Sequence, residues 1–177
     1  MLYVLAAHWK SKVGGAQATE PERRAAAVLA ASVIRARLDA DSSAAVILAG
    51  DLNENPDEYA LTGASYPTAL MPAEEGPGPW LSITSSAAQA SVEGPILYSP
   101  WDDYGGYSYL YEGVSERIDH LLLSPGLVCG DLPQLVLFSA EPPDFLLGAK
   151  GQPLGWNSRL ASGYSDHLPI RVTLRIP

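Results

Sequence analysis

The sequence predicts one α/β domain, on three observations. Two apolar runs, "LYVLAA" at 2–7 and "AAVILAG" at 44–50, bracket a long helical pattern, the strand–helix–strand order of an α/β fold. Four further β-rich runs follow in the second half. The length of 177 residues suffices for one buried core.

Each element follows from local pattern. Residues 2–7 read as a buried strand, and "HWKSKVGGAQ" as a polar loop. The helix is expected over 19–40. Thr19 and Glu22 stand at capping-box spacing, and Pro21 is tolerated in a first turn. Ala27, Ala31, Ile34 and Leu38 form one stripe for packing on a sheet. The run at 44–50 is continuously apolar, as in a central strand buried on both faces. Residues 54–106, punctuated by proline and glycine, read as surface loop with one short helix near 57–62. "YSYLY" (107–111) and "ERIDHLLLS" (116–124) flank a Glu-Gly pair and read as a hairpin. "LPQLVLFSA" (132–140) reads as a strand, 141–163 as loop, and "LPIRVTLRI" (168–176) as a closing strand.

Composition excludes several classes. No 18-residue apolar run marks a membrane span, and no basic stretch followed by an apolar core marks a signal peptide. Cys129 is the sole cysteine, so no internal disulfide forms. Eleven basic against twenty acidic residues, a net charge of −9, argue against binding nucleic acid by charge alone. An enzyme that meets phosphate through a metal ion stays compatible.

The chain has three histidines. His8 follows a strand and His167 precedes one. His120 lies within a strand beside Asp119. Strand neighbours point to opposite faces, so Asp119 and His120 cannot share one site, and His120 reads as structural. In "GDLNENPDE" (50–58), Asp51 and Asn53 stand at the C-terminal end of a buried strand, where α/β sheets place ligands. A calcium loop fails there: its sixth position needs glycine and is Pro56, its twelfth needs glutamate and is Thr62. An Asx-turn that merely ends the strand is the structural alternative. Asp119 is a carboxylate within an apolar strand and needs a partner. His167 would have its tautomer set by that carboxylate. Arg117, two residues away, is the bland alternative.

"HWKSK", "GDLNENPDE", "SERIDHLLLS" and "GYSDHLPI", in this order, resemble the endonuclease/exonuclease/phosphatase superfamily, which includes deoxyribonuclease I, abasic-site endonucleases, neutral sphingomyelinases and inositol polyphosphate 5-phosphatases. "YSPW" and "FLLGAKGQPLGW" are similar to loops of bacterial members. The resemblance implies a four-layer α/β/β/α sandwich of the deoxyribonuclease I-like type, of which this chain resembles the back half as a single domain over 1–177. It implies that His8 contacts phosphate and that Asp51 and Asn53 orient the nucleophile and bind the scissile phosphate. Asp119 would hold the catalytic histidine, His167, and Asp166 would be a metal-site carboxylate. Mg²⁺, with Mn²⁺ as a substitute, suits an oxygen-rich site of this kind. Either His167 or Asp51 activates the water.

The expected activity is metal-dependent phosphoester hydrolysis, as a phosphodiesterase, phosphatase or nuclease. The alternative is a remnant or binding module that keeps the fold without catalysis. The resemblance also implies a metal-ligating glutamate on a strand ahead of His8, which the seven preceding residues do not hold. An asparagine and a tyrosine of the front half likewise have no counterpart. The chain is therefore expected to bind Mg²⁺ weakly, to show little turnover alone, and to self-associate or seek the front half of the sandwich.

Overall fold

A computed structural model describes residues 1–76, 78–129 and 135–175. The elements in chain order are β1 (Leu2–His8), α1 (Ala16–Ala40), β2 (Ala45–Asp51), α2 (Glu58–Leu61), β3 (Leu70–Pro72), β4 (Leu81–Thr84), β5 (Ile96–Tyr98), α3 (Trp101–Tyr104), β6 (Tyr109–Tyr111), β7 (Val114–Glu116), β8 (Asp119–Leu123), α4 (Pro125–Val128), β9 (Leu135–Ser139) and β10 (Arg171–Leu174).

Six strands form the main sheet, in the order β1-β2-β8-β5-β4-β3. β1 runs parallel to β2, joined by the α1 crossover, and β8 lies antiparallel on the other side of β2. Alternation along β2 divides the core. Val46 and Leu48 face Ile34 and Leu38 of α1. Ala45 and Ile47 face the other way, toward Leu127 and Val128 of α4 and toward Leu135, Val172 and Leu174 of the antiparallel β9–β10 pair. Helix, six-stranded sheet and two-stranded sheet are thus three packed layers, a mixed α/β architecture. Four layers are not seen among the described residues.

β1 and β2 approach so closely at their C-terminal ends that residue 50 must be glycine. A Cβ on Gly50 would fall 1.9 Å from the Ala7 carbonyl oxygen, and its φ is 134°. Register then sets His8 opposite Asp51, and Asp51 opposite Asp119 of β8.

Local expectations needed correction in five places. β1, expected to be buried, is an edge strand that covers only one face, with Leu2 and Val4 exposed on the other. α1 begins at Ala16 behind Gly15, so Thr19 does not cap it; the Thr19 hydroxyl donates back to the Gly15 carbonyl at 2.9 Å. The stripe includes Ala27, Ile34 and Leu38 as buried residues, but Ala30 is buried in place of Ala31, which is half-buried. Residues 54–106 hold three strands as well as α2. β3 and β4 are short and buried without alternation, leaving no period to read. The hairpin closes earlier than expected: β6 pairs with β7 at 114–116, whereas 119–123 enters the main sheet. Its turn, Glu112–Gly113, has φ of 49° and 85°, the left-handed pair of a two-residue hairpin loop. In the expected strand at 132–140, residues 132–134 lie outside the described residues, as does 176 in the closing strand.

A buried charge cluster ties this frame to the loop after β2. Arg23 of α1 is fully buried. Its Nε donates to Glu54 Oε2 at 2.7 Å and its Nη2 to Glu20 Oε2 at 2.6 Å. The Ala69 amide donates to the other Glu54 oxygen at 3.0 Å. One guanidinium therefore serves two carboxylates, and burial together with Glu20 pushes the Glu54 carboxyl up to about 8. Also fully buried, His120 meets the Glu54 carbonyl at 2.8 Å through Nε2, the structural role its strand position predicts.

Candidate active site

The site opens at the C-terminal ends of β1 and β2. The β2 chain turns immediately after its last residue, where Asp51 Oδ1 accepts the Asn53 amide at 2.9 Å. This is an Asx-turn, and it holds Asn53 at φ 51°. The Asn53 side chain donates to the Trp9 carbonyl at 3.2 Å, which ties the β2 exit to the β1 exit. The turn that reads as a bland alternative thus coexists with a side-chain cluster.

Asp119 finds His167 rather than Arg117. Nδ1 of His167 lies 2.7 Å from Asp119 Oδ2, while Arg117 pairs with Asp102 at 3.2 Å. Several backbone contacts impose this choice. Ser108 accepts the Asp119 amide on its hydroxyl at 3.1 Å and the Leu168 amide on its carbonyl at 2.6 Å. Tyr109 and His167 form an isolated antiparallel bridge. The indole of buried Trp101 donates to the Asp119 carbonyl at 3.0 Å. The strand bearing Asp119 and the segment bearing His167 are thereby clamped on the same two residues of β6 and its lead-in.

Nε2 of His167 points toward Asp51, 3.9 Å from Oδ2, and Nε2 of His8 lies 3.4 Å from the same oxygen. The hydrogen bond that His167 donates to Asp119 raises the His167 pKa above its ordinary value, against the effect of partial burial. Burial raises the Asp51 carboxyl, and the nearby Asp119 charge adds to it; the Asn53 amide and the two imidazoles oppose the rise. A carboxylate–imidazole–carboxylate array of this kind can hold and pass a proton.

His8, Asp51, Asn53, Asp166 and His167 line one cleft of about 670 Å³. Asp119 stands behind His167. Asp166 is exposed and engages no hydrogen bond or ion pair among the described residues. Among those residues no three His, Cys, Asp or Glu side chains gather as a metal-binding group. The donors fit Mg²⁺ in kind, being carboxylates without thiolate. Mg²⁺ takes one or two protein carboxylates and completes its octahedron with water and phosphate oxygens; the carboxylates lining the cleft are Asp51, Glu116 and Asp166.

The cleft also holds residues that motif reading passes over. Lys12 donates to Glu58 at 2.7 Å and Glu116 at 3.1 Å, linking the β1 exit, the 50–58 loop and β7. Tyr109 and Tyr111 form its wall. The signals were present, since Lys12 lies in "HWKSK" and the tyrosines alternate along one strand.

Residues 1–69 match the model of the Endonuclease/Exonuclease/phosphatase family. The match covers the segment with His8, Asp51 and Asn53, and it agrees with the resemblance carried by the first two of the four motifs. No curated protein and no solved structure matches the chain.

Proposed function

We propose that the chain is a metal-dependent phosphoester hydrolase, with Mg²⁺ as the ion and Mn²⁺ able to replace it. The observation that carries this reading is the Asp119–His167 pair aimed at Asp51 across the cleft. Asp119 holds the Nδ1 proton, leaving the Nε2 lone pair of His167 to accept a proton from the attacking water. Asp51 orients that water. His8 and the second amide proton of Asn53 donate to phosphoryl oxygens. Asp166 holds the ion, which neutralises charge on the phosphoryl group when bound. Lys12 cannot supply that neutralisation freely, since two carboxylates already engage it.

A second reading, a phosphate-binding module without turnover, is favoured by the sparse ligand set around Asp166. One experiment separates the two. Bis-p-nitrophenyl phosphate is incubated with the purified chain and Mg²⁺ or Mn²⁺. Slow metal-dependent release of p-nitrophenol, abolished by His167→Ala, is the expected result. Binding of the ester without release above the metal-only background would replace the hydrolase with the module.

A further inference from the structure

We propose that the cleft selects phosphoesters carrying an unpaired nucleobase, and that Tyr111, backed by Tyr109, stacks it. The inference rests on the hydrolase reading for where the phosphate sits.

Tyr109 and Tyr111 are two apart on β6 and share one face of the strand. Their rings are parallel to within 14°, with centroids 6.4 Å apart. Tyr109 also meets the His167 imidazole, centroids 4.7 Å apart. Tyr109 thus links Tyr111 to His167, and all three rings line the cleft. One end of β6 is fixed by the Tyr109–His167 bridge, and the other by the tight Glu112–Gly113 turn. Tyr111 is 56% exposed, has no ring beyond it, and neither phenol hydrogen-bonds a protein group among the described residues. An exposed, pre-oriented aromatic face beside a phosphoester centre is what a planar base requires.

Charge points the same way. Asp51, Glu116 and Asp166 line the cleft, and Lys12 is held by Glu58 and Glu116. Net charge is −9, and among the described residues Lys12 is the one Lys or Arg lining the cleft, so the cleft offers no cationic track for a polyphosphate backbone. Discrimination among phosphoesters then falls to the group beyond the phosphate, where the Tyr111 face stands. Stacking on tyrosine is sequence-tolerant and changes affinity on the order of tenfold to a hundredfold per base. Base faces are hidden within a duplex, so the preferred substrates are mononucleotide esters and single-stranded ends.

The test measures binding apart from turnover. The analogues of thymidine 5′-phosphate and 2-deoxyribose 5-phosphate in which a methylene carbon replaces the bridging ester oxygen, so that no ester bond remains to be hydrolysed, are titrated with Mg²⁺ present, and the Kd of each is read from protein NMR shifts. We expect the thymidine compound to bind about tenfold more tightly. Tyr111→Phe should keep that preference, and Tyr111→Leu, which retains side-chain bulk on the hairpin, should erase it without changing binding of the deoxyribose compound. Equal affinities in the unmodified chain, no measurable binding of either compound, or a preference that survives Tyr111→Leu would overturn the proposal. Hydrolysis of bis-p-nitrophenyl phosphate is followed in parallel. Turnover without a base preference sinks the stacking site alone, and a base preference without turnover sinks the hydrolase reading alone.

Discussion

Asp119 and His167 are 48 positions apart in the chain, yet Oδ2 of one lies 2.7 Å from Nδ1 of the other. Both are held by Ser108 and Tyr109 rather than by each other alone. Asp119→Asn should therefore leave the fold intact while the imidazole loses its tautomer control. We expect kcat to fall by orders of magnitude, about 10⁴-fold where an analogous dyad has been altered in this way. Steady-state kinetics and near-UV circular dichroism are measured together. An unchanged kcat would show that the contact is structural.

His120 should govern acid stability. Burial holds its ring neutral and lowers its pKa to about 4, against about 6.5 in an unfolded chain. Between these values the unfolded chain binds more protons than the folded one, so stability rises with pH. The contribution is complete above about pH 6.5 and is lost as pH falls toward 4. Thermal melts from neutrality to pH 4.5, compared with His120→Gln, read the effect. The two profiles should converge as pH falls. Parallel profiles would exclude His120 as the group responsible.

Arg23 hydrogen-bonds two buried carboxyl groups at once. Arg23→Met would leave Glu20 and Glu54 facing each other without a cation. We expect a loss of about 3–5 kcal/mol, as when one partner of a buried pair is removed. Adding Glu54→Gln should recover part of it, and urea denaturation of both variants is the measurement. The raised Glu54 pKa adds a pH signature: the folded chain keeps that proton longer, so this group's stabilisation is present at low pH and lost as pH rises through about 8. A double variant no more stable than Arg23→Met would show that charge is not the cause.

The outer edge of β1 carries no strand partner among the described residues, and Leu2 and Val4 are 49% and 59% exposed on the face away from α1. An open, flat, apolar edge pairs readily with another chain. Sedimentation velocity should show concentration-dependent association, weakened by Val4→Lys. A sedimentation coefficient independent of concentration would dispose of the expectation.

Local pattern alone determined the β1–α1–β2 order and the turn at Glu112–Gly113, and it singled out Asp51, Asn53, Asp119 and the histidines as candidates. Each depends on neighbours within a few positions: an apolar run, a helical period, a residue type at a strand end. Tertiary structure decided what those residues touch. Asp119 had two acceptable partners in sequence, and Arg117 was the nearer. The β6 clamp on Leu168 and His167 gave it the imidazole and released Arg117 to Asp102. The short strands between 70 and 98 became strands through pairing, because three or four buried residues have no period of their own. The tyrosine wall had the same origin. Alternation put Tyr109 and Tyr111 on one face, but only the bridge to His167 turned that face toward the cleft. Strand propensity is a local property, whereas a pairing partner is chosen by which distant segments the core brings within hydrogen-bonding reach.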